Sequence, residues 1–132
     1  MHEHSQKHLK TMENNDFASV VPDWAMGTNC AITVCDSDCR IIYMNARSRE
    51  TFAARGGAGL IGHNLLDYHN ERSIGIIKHM LATGESNCYT IEKQGVRKMI
   101  YQTPWRDAEG NIAGLVEISM PLPASLPHYI RQ

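Results

Sequence analysis

With 132 residues, 42% of them hydrophobic, and a formal net charge of −1, the chain has the size and make-up of one globular domain with a proper core. No stretch is apolar and long enough to span a bilayer, and the polar start MHEHSQKHLK lacks the apolar middle of a secretory signal. The near-neutral charge argues against a strong basic field, so the expectation is a cytoplasmic protein with no membrane and no nucleic-acid partner.

Residues 1–15 read as a flexible polar lead, and His2, His4 and His8 within it fit a solvated terminus better than a metal site. No metal is predicted. Over 16–29, Phe17, Val20, Val21 and Trp24 recur at helical spacing with Asp16 available as a cap, which predicts a flanking helix that Pro22 shortens or kinks. Ala31–Asn45 predicts a hairpin: Ile32 and Val34 alternate with Thr33 and Cys35, Asp36-Ser37-Asp38 is turn chemistry, and Ile41 to Met44 is an apolar return. Asn45 is the natural N-cap of a helix over Ala46–Ala54. Gly56, Gly57 and Gly59 end that helix; no Lys-Ser/Thr follows them and no strand precedes them, so they do not read as a phosphate loop.

Leu60–Tyr68 is short and irregular, and Asn70–Thr83 predicts a longer helix with Ile74, Ile77 and Leu81 on one face, Met80 bordering it, His79 opposite and Gly84 as its stop. Asn87–Lys93 alternates as a strand and turns at Gln94-Gly95. Lys98–Met120 then predicts a second hairpin, in which Ile112, Val116, Ile118 and Met120 share one parity while Glu117 and Ser119 share the other, with Arg106–Asn111 as the turn. The four cysteines, Cys30, Cys35, Cys39 and Cys88, lack zinc or redox-motif spacing and read as reduced thiols, with Cys35 and Cys39 near enough across a hairpin to form a redox pair. The prolines after Met120 forbid a continuing helix, so 121–132 reads as a tail.

The order of elements is helix, two strands, helix, short helical turns, helix, three strands. The strand, acidic turn, strand and capping Asn of Asp36-Ser37-Asp38 and Arg40–Asn45, the stretch Leu60-Ile61-Gly62-His63-Asn64-Leu65-Leu66-Asp67, and the closing turn Asp107–Gly114 together resemble the PAS domain family over roughly 31–120. Cys39 departs from that pattern by standing where the family usually places Gly, which suggests a different turn type. The resemblance implies an α+β fold with about five antiparallel strands in the order 2-1-5-4-3, short helices on one face and an N-terminal flanking helix, with the PAS domain over 30–120. It also implies a bacterial-type sensory or signalling module rather than an enzyme.

In that reading a small ligand sits in an apolar pocket lined by Ile77, Met80 and Met99, with His69, Ser73, Tyr89 and Tyr101 as polar tips. A homodimer forms through Phe17, Val21, Trp24 and an outward-facing Leu115, and a signalling protein is a further partner. The alternative is a ligand-free dimerisation module. Heme held by His69 is a lesser option, and flavin is disfavoured because no Asn-Cys-Arg-Phe-Leu-Gln run is present. For catalysis the first trio to inspect is Asp67, His69 and Tyr101, although no nucleophile-and-base pattern joins them. Met1 and the termini favour a complete stand-alone sensor over a fragment.

Overall fold

A computed structural model describes residues 20–132 of the protein; the lead at 1–15 and Phe17 lie outside the described residues. Helix α1 (Asp23–Gly27) is a single turn that starts immediately after Pro22. The proline therefore sets a helix boundary, which its fixed φ and missing N–H suit. Strands β1 (Ala31–Asp36) and β2 (Ile41–Met44) form the first hairpin, and α2 (Ala46–Thr51) follows. Single 3-10 turns at Ala53–Arg55, Gly57–Leu60 and Leu65–Tyr68 lead to the long helix α3 (Glu71–Thr83). Strands β3 (Asn87–Lys93), β4 (Val96–Arg106) and β5 (Ile112–Pro121) complete one sheet in the order β2-β1-β5-β4-β3, all pairs antiparallel. The helices and 3-10 turns lie against one face of it.

Asn45 ties the entry of the domain together. Its side chain is fully buried. Its Oδ1 accepts from the backbone N–H groups of Ile32 (2.9 Å) and Ser48 (3.0 Å), while Nδ2 donates to the carbonyls of Ala25 (3.0 Å) and Cys30 (2.8 Å). The predicted N-cap of α2 is thus also the clamp between α1, β1 and that helix. Asn70 caps α3 in the ordinary exposed way, accepting from Ser73 N–H, and Gly84 ends α3 in the left-handed conformation with φ 81°.

The two hairpin turns share one design. Asp36 Oδ1 accepts from the N–H groups of Asp38 and Arg40, and Asp107 Oδ1 accepts from those of Glu109 and Asn111. In each, the fourth residue takes positive φ: 65° at Cys39 and 86° at Gly110. Cys39 does not signal a different turn type; it adopts the backbone that glycine favours, at a steric cost. Its side chain is buried with Cys35, Ile77, Met80 and Leu115 in the main core cluster, and that packing offsets the strain.

Register corrects one expectation. Thr33 pairs with Glu117 and Cys35 with Leu115, while Gln102 pairs with Glu117 and Ile100 with Ser119. Because Ala31, Thr33 and Cys35 are the buried residues of β1, the helix-facing parity of β5 is Leu115, Glu117 and Ser119. Val116, Ile118 and Met120 face outward. The expected assignment of faces in the last hairpin is inverted, because apolar side chains occupy both faces of β5 and alternation alone does not say which face the helices cover.

Two stability predictions follow from these contacts. Asn45→Ala strands two buried backbone N–H groups and two carbonyls, and urea denaturation should show a loss of about 3 kcal/mol or more, against about 1 kcal/mol for Asn70→Ala. A Cβ on Gly114 would overlap the Cys35 carbonyl and crowd the Trp105 indole, whereas nothing lies within 4 Å of one on Gly27. Gly114→Ala should therefore lower stability by about 2–4 kcal/mol and Gly27→Ala by less than about 1 kcal/mol in the same assay.

Candidate functional site

Between the sheet and the helices lies a cup of about 170 Å³. Met44 and Ile41 from β2, Phe52 and Leu60 from the segment after α2, Leu65 from the last 3-10 turn, and Ile77 from α3 form apolar walls. The sheet contributes Thr33, Tyr89, Gln102, Leu115 and Glu117, and Arg55, Tyr68 and His69 also line the space. A second recess, lined by His69, Ser73, Asn87, Tyr89 and Gln102 among others, adjoins it between α3 and β3. The larger groove on the other side runs past Arg55, Lys98 and Glu117.

The polar groups of the sheet are joined across three strands. Asn87 Nδ2 donates to Gln102 Oε1 at 3.0 Å, and Gln102 Nε2 donates to Glu117 Oε2 at 3.0 Å. An ionised carboxylate only accepts, so the Gln102 amide must turn its NH₂ to Glu117 and its oxygen to Asn87. Thr33 Oγ1 and Ser48 Oγ share a buried hydrogen bond of 2.6 Å that joins the sheet to α2. Burial, with the nearby Glu117 charge as a second cause, raises the pKa of the Tyr89 phenol, which keeps it a protonated donor at neutral pH. His69 Nδ1 lies 2.9 Å from the Leu65 carbonyl; since a carbonyl can only accept, Nδ1 is the donor of that hydrogen bond.

Of the residues expected to line a pocket, His69, Ile77 and Tyr89 do so, and Ser73 lines the adjoining recess. Met80 is packed into the core beneath, 1% exposed. Met99 and Tyr101 stand on the outer face of β4, opposite Met120 and Ile118, which corrects their expected place in the cup. Leu115, expected outside, is core. Val21 is half-buried and Trp24 is 72% exposed. Gln102 and Glu117 went unrecognised; their signal was the polar parity of the last hairpin, misread as the solvent side. Asp67, His69 and Tyr101 do not converge: Asp67 is exposed and Tyr101 is across the sheet from His69. His79 is exposed as expected, 2.8 Å from Glu85.

The cup is small by itself, and it shares His69 and Tyr89 with the adjoining recess and Arg55 and Glu117 with the groove. Among the described residues no cluster of three His, Cys, Asp or Glu is placed to hold a metal. Nor is any helix among them long and apolar enough to cross a membrane.

The match to a family model described as the PAS fold spans residues 27–122. The chain belongs to this family. Its PAS domain is similar to that of the histidine kinase ThkA, at TM-score 0.57 and 21% identity, with 69% of this chain and 97% of that one covered. It is similar to the Aer2 receptor from Vibrio cholerae, described as a dual PAS-heme oxygen sensor, at TM-score 0.57 and 15% identity over 71% and 95% of the two chains. VqmA of the same organism, described in complex with ligand and DNA, aligns at TM-score 0.61 and 18% identity over 76% of this chain and 49% of that one. This chain thus spans about half of VqmA, and such a relative leaves the charge-based exclusion of nucleic acid without support. Among curated proteins, none matches this sequence.

The PAS core also holds the expected cysteine pair. Cys35 and Cys39 are both free, buried and in contact, and burial pushes the Cys35 thiol up to about 12 and raises that of Cys39. Thiolates are disfavoured there, against a ready redox pair. At pH 8 iodoacetamide should label the exposed Cys88 first, and Cys35 and Cys39 only with unfolding, as read by mass spectrometry. A raised folded pKa means stability is whole below the unfolded value of 9.0. It should fall as pH climbs from there toward 12, and Cys35→Ala should flatten that fall in alkaline denaturation.

Proposed function

We propose that this PAS domain is a sensory module: a small molecule fills the cup, and the outer face of the sheet carries the response to a second copy or a signalling partner. The observation that carries the reading is a cup whose apolar walls meet a short, directed polar row, Asn87–Gln102–Glu117, on the sheet itself. Pockets that bind small molecules have this character, apolar for most of their lining with a few polar groups fixed in direction. The row crosses β3, β4 and β5, so an occupant that pulls on Glu117 acts on the strands whose other face is the proposed output.

That outer face supports the second half of the reading. Ile32, Val34, Val116, Ile118 and Met120 are half-buried there, and Tyr101 on the same face is exposed, as is Trp24 on α1. A face of that composition suits an isologous dimer. Sedimentation should give twice the 14.8 kDa chain mass, and Ile118→Glu should return the single-chain mass with an unchanged circular dichroism spectrum. A wild-type chain that stays monomeric at every concentration removes the dimer from the proposal. Native mass spectrometry of protein purified without denaturation tests the cup, with a bound small molecule as the expected result.

A further inference from the structure

We infer that the cup selects a ring-sized molecule bearing a positively charged N–H donor, an amidine or protonated amine, through Glu117. This rests on the cup being a ligand site and concerns which chemistry it takes. Size comes first: cavities of about 150 Å³ lined by apolar side chains hold one six-membered ring. The cup, at about 170 Å³, is of that class.

Charge comes from the direction of the polar row. Gln102 uses its oxygen on Asn87 and turns its NH₂ to Glu117, so the row ends in a carboxylate oxygen, Oε1, that can only accept. Glu117 is half-buried, and its hydrogen-bond partner is a neutral amide. Among the described residues no Lys, Arg or His nitrogen pairs with it at ion-pair distance, although Arg55 lines the cup itself as well as the groove alongside, where Lys98 also stands. A ligand that fills the cup and shields Oε1 from solvent must bring it a donor, or it leaves a desolvated carboxylate unpaired. A cation satisfies Glu117 in both hydrogen bonding and charge, and an anion meets like-charge repulsion.

The test uses three one-ring probes, benzamidine, benzyl alcohol and benzoate, each titrated into the full chain by saturation-transfer NMR. Benzamidine should bind at least tenfold more tightly than benzoate. Glu117→Gln keeps an oxygen for Gln102 but removes the charge; it should weaken benzamidine at least tenfold, leave benzyl alcohol within twofold and hold the melting temperature. Leu60→Trp, which fills the cup, should abolish binding of both. Benzoate binding as well as benzamidine, or benzamidine binding that survives Glu117→Gln or Leu60→Trp, overturns the inference. If benzyl alcohol or benzoate binds in the cup and benzamidine does not, the charge selection falls while the cup remains a ligand site. If none of the three binds, both fall.

Discussion

The Asn45 amide, fully buried, uses both its acceptor and its donor capacity on backbone, and the rest of the domain hangs on that arrangement. Its four partners come from the middle of α1, the residue before β1, the start of β1 and the first turn of α2. A buried polar group is costly unless every bond is made, and a side chain that makes all of them fixes four chain segments relative to one another. The inner wall of the cup starts here, because α2 carries Ser48 to its bond with Thr33 and delivers the chain to Phe52 and Arg55.

Local chemistry made much of the fold readable. Asn45, Asn70 and Gly84 are caps whose side chains or backbone freedom announce helix ends, and Asp36 and Asp107 announce turns by accepting from the N–H groups two and four residues on. These signals act within a few residues. The face of β5 is set instead by pairing with β1, far away in sequence, that of β4 by its pairing with β5, and both by which side the helices occupy. With apolar residues on both faces of β5, the sequence of that hairpin does not distinguish inside from outside. The same gap moved Met99, Tyr101 and Leu115 to the wrong side and hid Gln102 and Glu117.

Cys39 illustrates how local and distant demands are reconciled. Its turn calls for a residue that accepts positive φ, as Gly110 does in the matching turn of the other hairpin. The core beneath β1 and α3 calls for volume at that point, and glycine has none. A cysteine is small enough to tolerate the first demand and apolar enough to meet the second. Its neighbour Cys35 gains the same dry surroundings, and both remain thiols.

The pairing of β1 with β5 also bears on the order in which the domain assembles. Trp105 Nε1 reaches the Cys35 carbonyl across 70 residues of sequence at 3.0 Å, beside the point where Gly114 permits close approach of the two strands. The α1–β1–β2–α2 unit contains its own clamp and can form from neighbouring residues, as can the β3–β4–β5 meander. Joining them closes a long loop, the step that contact order makes slow. Thr33 and Glu117 face each other across that seam, so the cup comes into being only when the two halves of the sheet meet.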